Sequence, residues 1–90
     1  PEASAVMMIP IPRAGVYRRV KGASAATAVP GVVDLVVTAK PDQRLEPLPE
    51  GASYLGFIFA RTENPADAVR ALRQAHAKLD VVIDAPIPVV

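Results

Sequence analysis

The stretch Ser53–Leu72, "SYLGFIFARTENPADAVRAL", decides the fold, because an apolar run and a capped helix pattern follow each other directly in it. Its segment YLGFIFA is apolar on both faces, which predicts a central strand. Gly56 inside that strand predicts a bulge or a close backbone approach. Asn64 is a good N-cap, Pro65 suits the first helical position, and the carboxylate of Asp67 suits the helix dipole. The stretch therefore predicts a strand followed at once by a helix.

The predicted helix continues to Leu79 with one apolar side. The residues assigned to that side are Val69, Leu72, His76 and Leu79, widened by Ala68 and Ala75, and those assigned to solvent are Asp67, Arg70, Gln74 and Lys78. The segment DVVID, residues 80–84, then predicts the last strand.

Shorter signals precede the central stretch. GVYRRV, residues 15–20, predicts a strand. AVMMI, residues 5–9, predicts a further strand. Because Pro10 and Pro12 cannot donate hydrogen bonds to a central strand ladder, we expect the neighbours of this strand to lie outside the chain. Residues 22–31 predict about two helical turns with Ser24 as N-cap.

Between this short helix and the central strand lie a strand and a connection. VVDLVVTA, residues 32–39, predicts a strand that turns Val33, Leu35 and Val37 to one side and Asp34 and Thr38 to the other. Residues 40–51 carry three prolines, which predicts a semi-rigid connection held by Leu45 and Leu48.

The order of these elements is βαββαβ. We expect an α+β fold with two helices on one face of an antiparallel sheet, which AVMMI or PIPVV (residues 86–90) could extend. Ninety residues form one domain, 1–90, that buries about 60–65% of its unfolded surface. Because the chain opens at Pro1, we expect it to be a piece of a longer polypeptide.

Composition excludes several classes of protein. A net charge of +1 lacks the basic footprint of a nucleic-acid binder, and the absence of cysteine rules out disulfides and thiol catalysis and is compatible with a cytoplasmic protein. ASAVMMIPIP, residues 3–12, is too short to span a bilayer and lacks a basic leading region. We therefore predict no nucleic-acid partner and no membrane segment.

Candidate functional residues are few. Four basic residues could contact an anion or another domain, although strand alternation divides them between two faces: Arg13, Arg18, Arg19 and Lys21. His76, the single histidine, is expected to be a half-buried packing residue. No glycine-rich phosphate loop, nucleophile motif or paired acids occur, so no catalytic, cofactor or metal residue is assigned.

An RNA-binding sheet with the same strand order needs basic residues among the stacking aromatics of its third strand. YLGFIFA has none, so core or interface packing is the better interpretation of Tyr54, Phe57 and Phe59.

The spaced motifs AGVYRRVKG, AVPGVVDL and LEPLPEGASYLGFIFARTENPADAVRALRQAHAKL, between Ile11 and Ile83, resemble the C-terminal domain of ATP-grasp carboxylate-amine ligases of the L-amino-acid ligase type, which is related to that of biotin carboxylase. In biotin carboxylases the strand motif continues with lysine after glycine. This chain keeps Ser53–Gly56 and has Phe57 at the lysine position, which favours the ligase branch.

The resemblance implies a parent enzyme that uses ATP and Mg²⁺ to convert a carboxylate into an acylphosphate, which an amine then attacks. It also implies that the ATP-grasp core on the N-terminal side supplies the catalytic residues, and that this fragment is inactive alone. The fragment, an accessory domain, would pack on that core, complete a wall of the substrate cleft and could support a homodimer. The alternative is an ACT-like regulatory module that binds an amino acid at a dimer interface.

Overall fold

The structure, a computed structural model of the 90-residue chain, describes residues 2–47 and 54–85. Six strands and two helices follow one another in these ranges. In chain order they are β1 (Ala3–Ile9), β2 (Gly15–Lys21), α1 (Ala23–Thr27), β3 (Val32–Val37), β4 (Arg44–Leu45), β5 (Gly56–Thr62), α2 (Pro65–Ala77) and β6 (Asp80–Asp84). The predicted α+β class is confirmed, and the predicted strands and helices occur in the predicted order, with the short strand β4 added inside the predicted connection. The interpretations that involve Leu48, Ser53 and PIPVV fall outside the described residues.

The strands form two antiparallel sheets of three strands each. Sheet A has the order β1-β5-β3, and sheet B has the order β4-β2-β6. A single sheet of the predicted order would place β2 beside β5, which is the central strand of sheet A. Because β1 and β3 occupy both edges of β5, no edge of that central strand is left for β2. The N-terminal strand therefore extends the β3–β5 pair, and its neighbour lies within the chain, contrary to our expectation for AVMMI.

Helix α2 covers one face of sheet A. It contacts β1, β5 and β3, while α1 contacts β3 and α2, so both helices lie on the same side. The start of α2 is as predicted: Pro65 is in the first turn, and the Asn64 side chain accepts a hydrogen bond from the Asp67 backbone N–H at 2.9 Å. This cap satisfies a backbone N–H that the helix itself leaves without a partner.

The buried side of α2 is narrower than predicted. Its buried residues are Ala68, Ala71, Leu72 and Ala75. Val69 is 44% exposed, so its assignment to the core was wrong. The small alanine side chains bring the helix close to the sheet, where Ile58 of β5 is fully buried.

Two glycines are required by close backbone contacts. A Cβ on Gly56 would collide with the carbonyl oxygen of Val36 in the neighbouring strand, which confirms the predicted close approach. Gly22 has a φ of 87°, and a Cβ there would collide with the carbonyl oxygen of Lys78. Gly22 is also the N-cap of α1, and no side chain caps that helix, so the assignment of Ser24 as N-cap was wrong.

A bulge in β3 changes which of its residues face the core. The register shifts between Val32 and Asp34, so Val32 pairs with buried Ala60. Val33, predicted to lie on the side of Leu35, is instead 57% exposed. In sheet B, the short strand β4 pairs with β2 and buries Leu45, which confirms that Leu45 holds the connection.

Candidate interdomain surface

The face of sheet A that points away from the helices carries apolar side chains on all three strands. Strand alternation turns Ile58 and Ala60 towards α2, so that Phe57 and Phe59 point the other way. β1 and β3 contribute the apolar residues registered with them, while Asp34 of β3 lies beside Phe59 as a charged end of that row. We call the resulting set the outer face: Val6, Met8, Val36, Phe57 and Phe59.

The outer face is ordered in two rows across the sheet. Val6 is registered with Phe59, and Met8 and Val36 flank Phe57 on either side. The two phenylalanine rings lie 6.4 Å apart between centroids with a 32° tilt. This distance lies within the range in which aromatic side chains attract one another. The sheet therefore presents neighbouring apolar side chains from all three of its strands.

Much of this surface is open to solvent. Val6 is 53% exposed and Met8 is 52% exposed, while Val36 and Phe59 are 40% and 36% exposed. Scattered apolar side chains are common on protein surfaces, but neighbouring ones on one sheet face mark an interaction site. At one end of the face, beside Phe59, a cavity of about 270 Å³ is bordered by Ser4, Asp34 and Arg61. Polar groups thus border the apolar rows.

The four basic residues singled out in the sequence are not gathered into one site. Arg13 donates to the backbone carbonyl oxygens of Val81 and Ile83, at 3.4 and 3.1 Å, and so ties the loop before β2 to β6. Arg18 donates to the carboxylates of Asp84, at 2.7 Å, and Asp42.

The hydrogen bonds to Asp84 and Asp42 raise the pKa of the Arg18 guanidinium, a group that is effectively always protonated in proteins. Arg19 and Lys21 lie exposed on β2, with a bulge between Tyr17 and Arg19. Two of the four side chains therefore have partners within sheet B and its loops.

His76 is half-buried on α2. It borders a cavity of about 250 Å³ together with Pro10, Pro12, Arg13 and Asp80. A second cavity, of about 470 Å³, lies beside the start of α2 near Arg61 and Arg70. Both of these arginines have acidic partners: Arg70 contacts Asp67 at 2.6 Å, and Arg61 contacts Glu2 at 3.6 Å. Their charges are therefore partly offset within the chain.

The described ranges contain no group of three His, Asp or Glu side chains placed to hold a metal ion. Within the same ranges, no helix is long and apolar enough to cross a membrane.

The sequence from residue 7 to residue 84 matches the family model described as "L-amino acid ligase C-terminal domain 2". The chain belongs to this family. The resemblance seen in the sequence is thereby confirmed, and the ACT-like and RNA-binding alternatives are not favoured.

Structural comparison agrees with this L-amino acid ligase domain assignment. The fold superposes on the crystal structure of L-amino acid ligase from Bacillus licheniformis with a TM-score of 0.78 and 16% sequence identity. The match covers 90% of this chain and 20% of that chain, so the domain spans one fifth of the ligase it resembles. No curated protein matches the sequence significantly.

The sequence predicted that the aromatic residues of β5 pack in a core or an interface. It did not predict which residues of the other strands join them in the outer face. The signal was present in YLGFIFA, where apolar residues occupy both faces although the helices can cover only one. Predicting which residues of β1 and β3 join Phe57 and Phe59 requires the register, which the bulge in β3 shifts.

Proposed function

We propose that this L-amino acid ligase C-terminal domain is non-catalytic, and that it packs its outer face against the ATP-grasp core of a parent ligase that joins a carboxylate to an amine. In that position the domain would help to shape the substrate cleft. The observation that carries the proposal is the pair of apolar rows around Phe57 and Phe59. The lack of cysteine is compatible with a cytoplasmic location for the parent.

The described residues do not fit a site for ATP or Mg²⁺. They bring together no group of acids suited to a metal ion. The glycines of the sequence have no phosphate-loop spacing. Nucleotide and metal would therefore bind to the parent's core, and the contribution of this domain would be its surface.

The outer face suits a packing role because its strands are held rigidly from behind. β5 is central in sheet A, and its inner residues Ile58 and Ala60 are buried beneath α2. Covering the exposed rows would remove apolar area from water, at about 25 cal/mol per Å². A small domain that leaves such rows open gains stability from a covering partner.

The proposal is tested in the complete ligase with a pair of lysine variants. Phe57→Lys places a charge between Met8 and Val36 in the middle of the outer face, whereas Val69→Lys places it on the exposed side of α2, at 44% exposure. Burying an unpaired charge costs at least a few kcal/mol, so we expect Phe57→Lys to lower kcat/KM roughly tenfold or more and to increase proteolytic cleavage between domain and core.

We expect the control Val69→Lys to behave as the unsubstituted enzyme does. Equal activity and equal proteolysis of the two variants would contradict the packing role. The non-catalytic role has its own test: micromolar binding of ATP with Mg²⁺ by the 90-residue chain, measured by calorimetry, would refute it.

A further inference from the structure

The two edges of sheet A differ in how they are protected. β3, at one edge, carries the charge of Asp34 and a bulge between Val32 and Asp34. β1, at the other edge, has no charged residue from Ala3 to Ile9 and pairs with β5 through seven consecutive residues without a shift. Natural sheets use charges, prolines and bulges to prevent edge strands from pairing with other chains. The β1 edge lacks these devices along its length.

Within residues 2–47 and 54–85, β5 is the one strand paired with β1. The backbone groups on the opposite side of β1 therefore have no strand partner among the described residues. An exposed edge of this kind is a template for an added strand.

The sequence of β1 is self-complementary. An antiparallel pairing of two copies centred on Val6 sets Val6 opposite Val6, Ser4 opposite Met8, and Ala5 opposite Met7. No like charges meet in this register, and the exposed valine and methionine side chains add cross-strand contacts. A two-fold axis uses the same edge on both copies, and the protected β3 edges stop further growth, so the assembly closes at two.

We propose that the β1 edge binds β1 of a second copy of this chain, antiparallel and about a two-fold axis, to join two copies of sheet A into one six-stranded sheet. This inference goes beyond the proposed function and does not depend on it, because the pairing is made by the backbone groups of the β1 edge, although Val6 and Met8 also belong to the outer face. A core packed on the outer face would leave the edge pairing intact.

Disulfide trapping tests the register. The chain contains no cysteine, so a single introduced thiol reports only on its own position. Opposed residues of antiparallel strands have Cα atoms about 4.5–5.5 Å apart, which is within disulfide range. We expect Val6→Cys to form a covalent dimer roughly tenfold faster or more than Val69→Cys on mild oxidation, since paired thiols have a high effective concentration. The two residues are 53% and 44% exposed, which makes Val69 a matched control.

A charge variant tests the association itself. The unsubstituted 90-residue chain should sediment with twice the monomer mass at high concentration. Val6→Lys should sediment as a monomer, because two lysines would face each other at the axis, while Val69→Lys should remain dimeric. Circular dichroism confirms that each variant is folded.

Three results would overturn the inference: a monomeric unsubstituted chain, a folded Val6→Lys variant that stays dimeric, or equal trapping at positions 6 and 69. Assemblies larger than a dimer would also contradict it, because the pairing closes at two.

Discussion

Sheet A and sheet B have the same number of strands, but they are held in place by different interactions. Sheet A lies under α2, with β1, β5 and β3 all in contact with that helix. In the described part of the chain, neither helix has comparable contacts with sheet B. Sheet B buries Tyr17, Leu45 and Ile83, and arginine side chains tie its strands and loops together.

The two sheets differ in how much of their apolar surface the chain itself covers. Sheet A is apolar on both faces, and its own helices cover one of them. On sheet B, the exposed side chains of β2 include Arg18, Arg19 and Lys21, which are suited to water. The uncovered apolar surface of sheet A therefore indicates an interface, while the exposed arginines and lysine of sheet B need no covering partner.

The largest expected effect comes from the packing between α2 and sheet A. Ile58 is fully buried at the centre of β5, so Ile58→Ala would leave a cavity beneath the helix. We expect it to lower the free energy of unfolding by about 2–5 kcal/mol, measured by urea denaturation. Val69→Ala, at an exposed apolar position, is the control and should change stability little. A small effect of Ile58→Ala would show that α2 is not what holds sheet A.

The features of sheet A that the sequence predicts are those encoded locally. The Asn64 cap and the proline after it define the start of α2, and Gly56 marks the close approach of two strands. The division into two sheets could not be predicted this way. A single-sheet fold would pair β2 with one edge of β5, whereas in this structure β1 pairs with that edge. That competition involves residues more than 40 positions apart, from Ala3 to Thr62.

The candidate surface shows the same limit. Apolar residues at 57 and 59 indicate a second covered face, but the exposure of Val33 follows from the bulge in β3, which no local pattern marks. In β2, the basic residues are evident in the sequence, while their partners Asp42 and Asp84 are 24 and 66 positions away from Arg18. Long-range pairing decides which charges stay available to a partner.

A smaller effect is expected from the ionic contacts of sheet B. Arg18 lies on β2 and joins the carboxylates of Asp42 and Asp84, and all three side chains are well exposed. Exposed ion pairs contribute little and are screened by salt. We expect Arg18→Gln to destabilise the chain less than Ile58→Ala does, and the difference from the unsubstituted chain should shrink as sodium chloride is raised.

Arg19→Gln is the matched control for Arg18→Gln, since it removes the same charge from the next position of β2. Urea denaturation at low and high salt would measure both. A loss that persists unchanged in high salt would show that Arg18 acts through packing of its stem rather than through its charge.

The smallest effect, limited to alkaline pH, concerns Tyr17 of sheet B. Burial raises the pKa of the Tyr17 phenol above its ordinary value of 10.0. The folded chain then keeps its proton at a pH at which the unfolded chain has lost it, so this contribution to stability is fully present below pH 10 and declines as the pH rises from there through the raised pKa.

Tyr17→Phe removes the titration, so the variant should match the original at pH 7 and lose stability less steeply above pH 10. Tyr54→Phe, at a half-buried position outside both sheets, is the control, and urea denaturation as a function of pH is the measurement. If the free energies of unfolding of the two variants fell in parallel above pH 10, burial in sheet B would not raise the pKa of Tyr17. The two sheets would then differ more in how well they exclude water than the fold indicates.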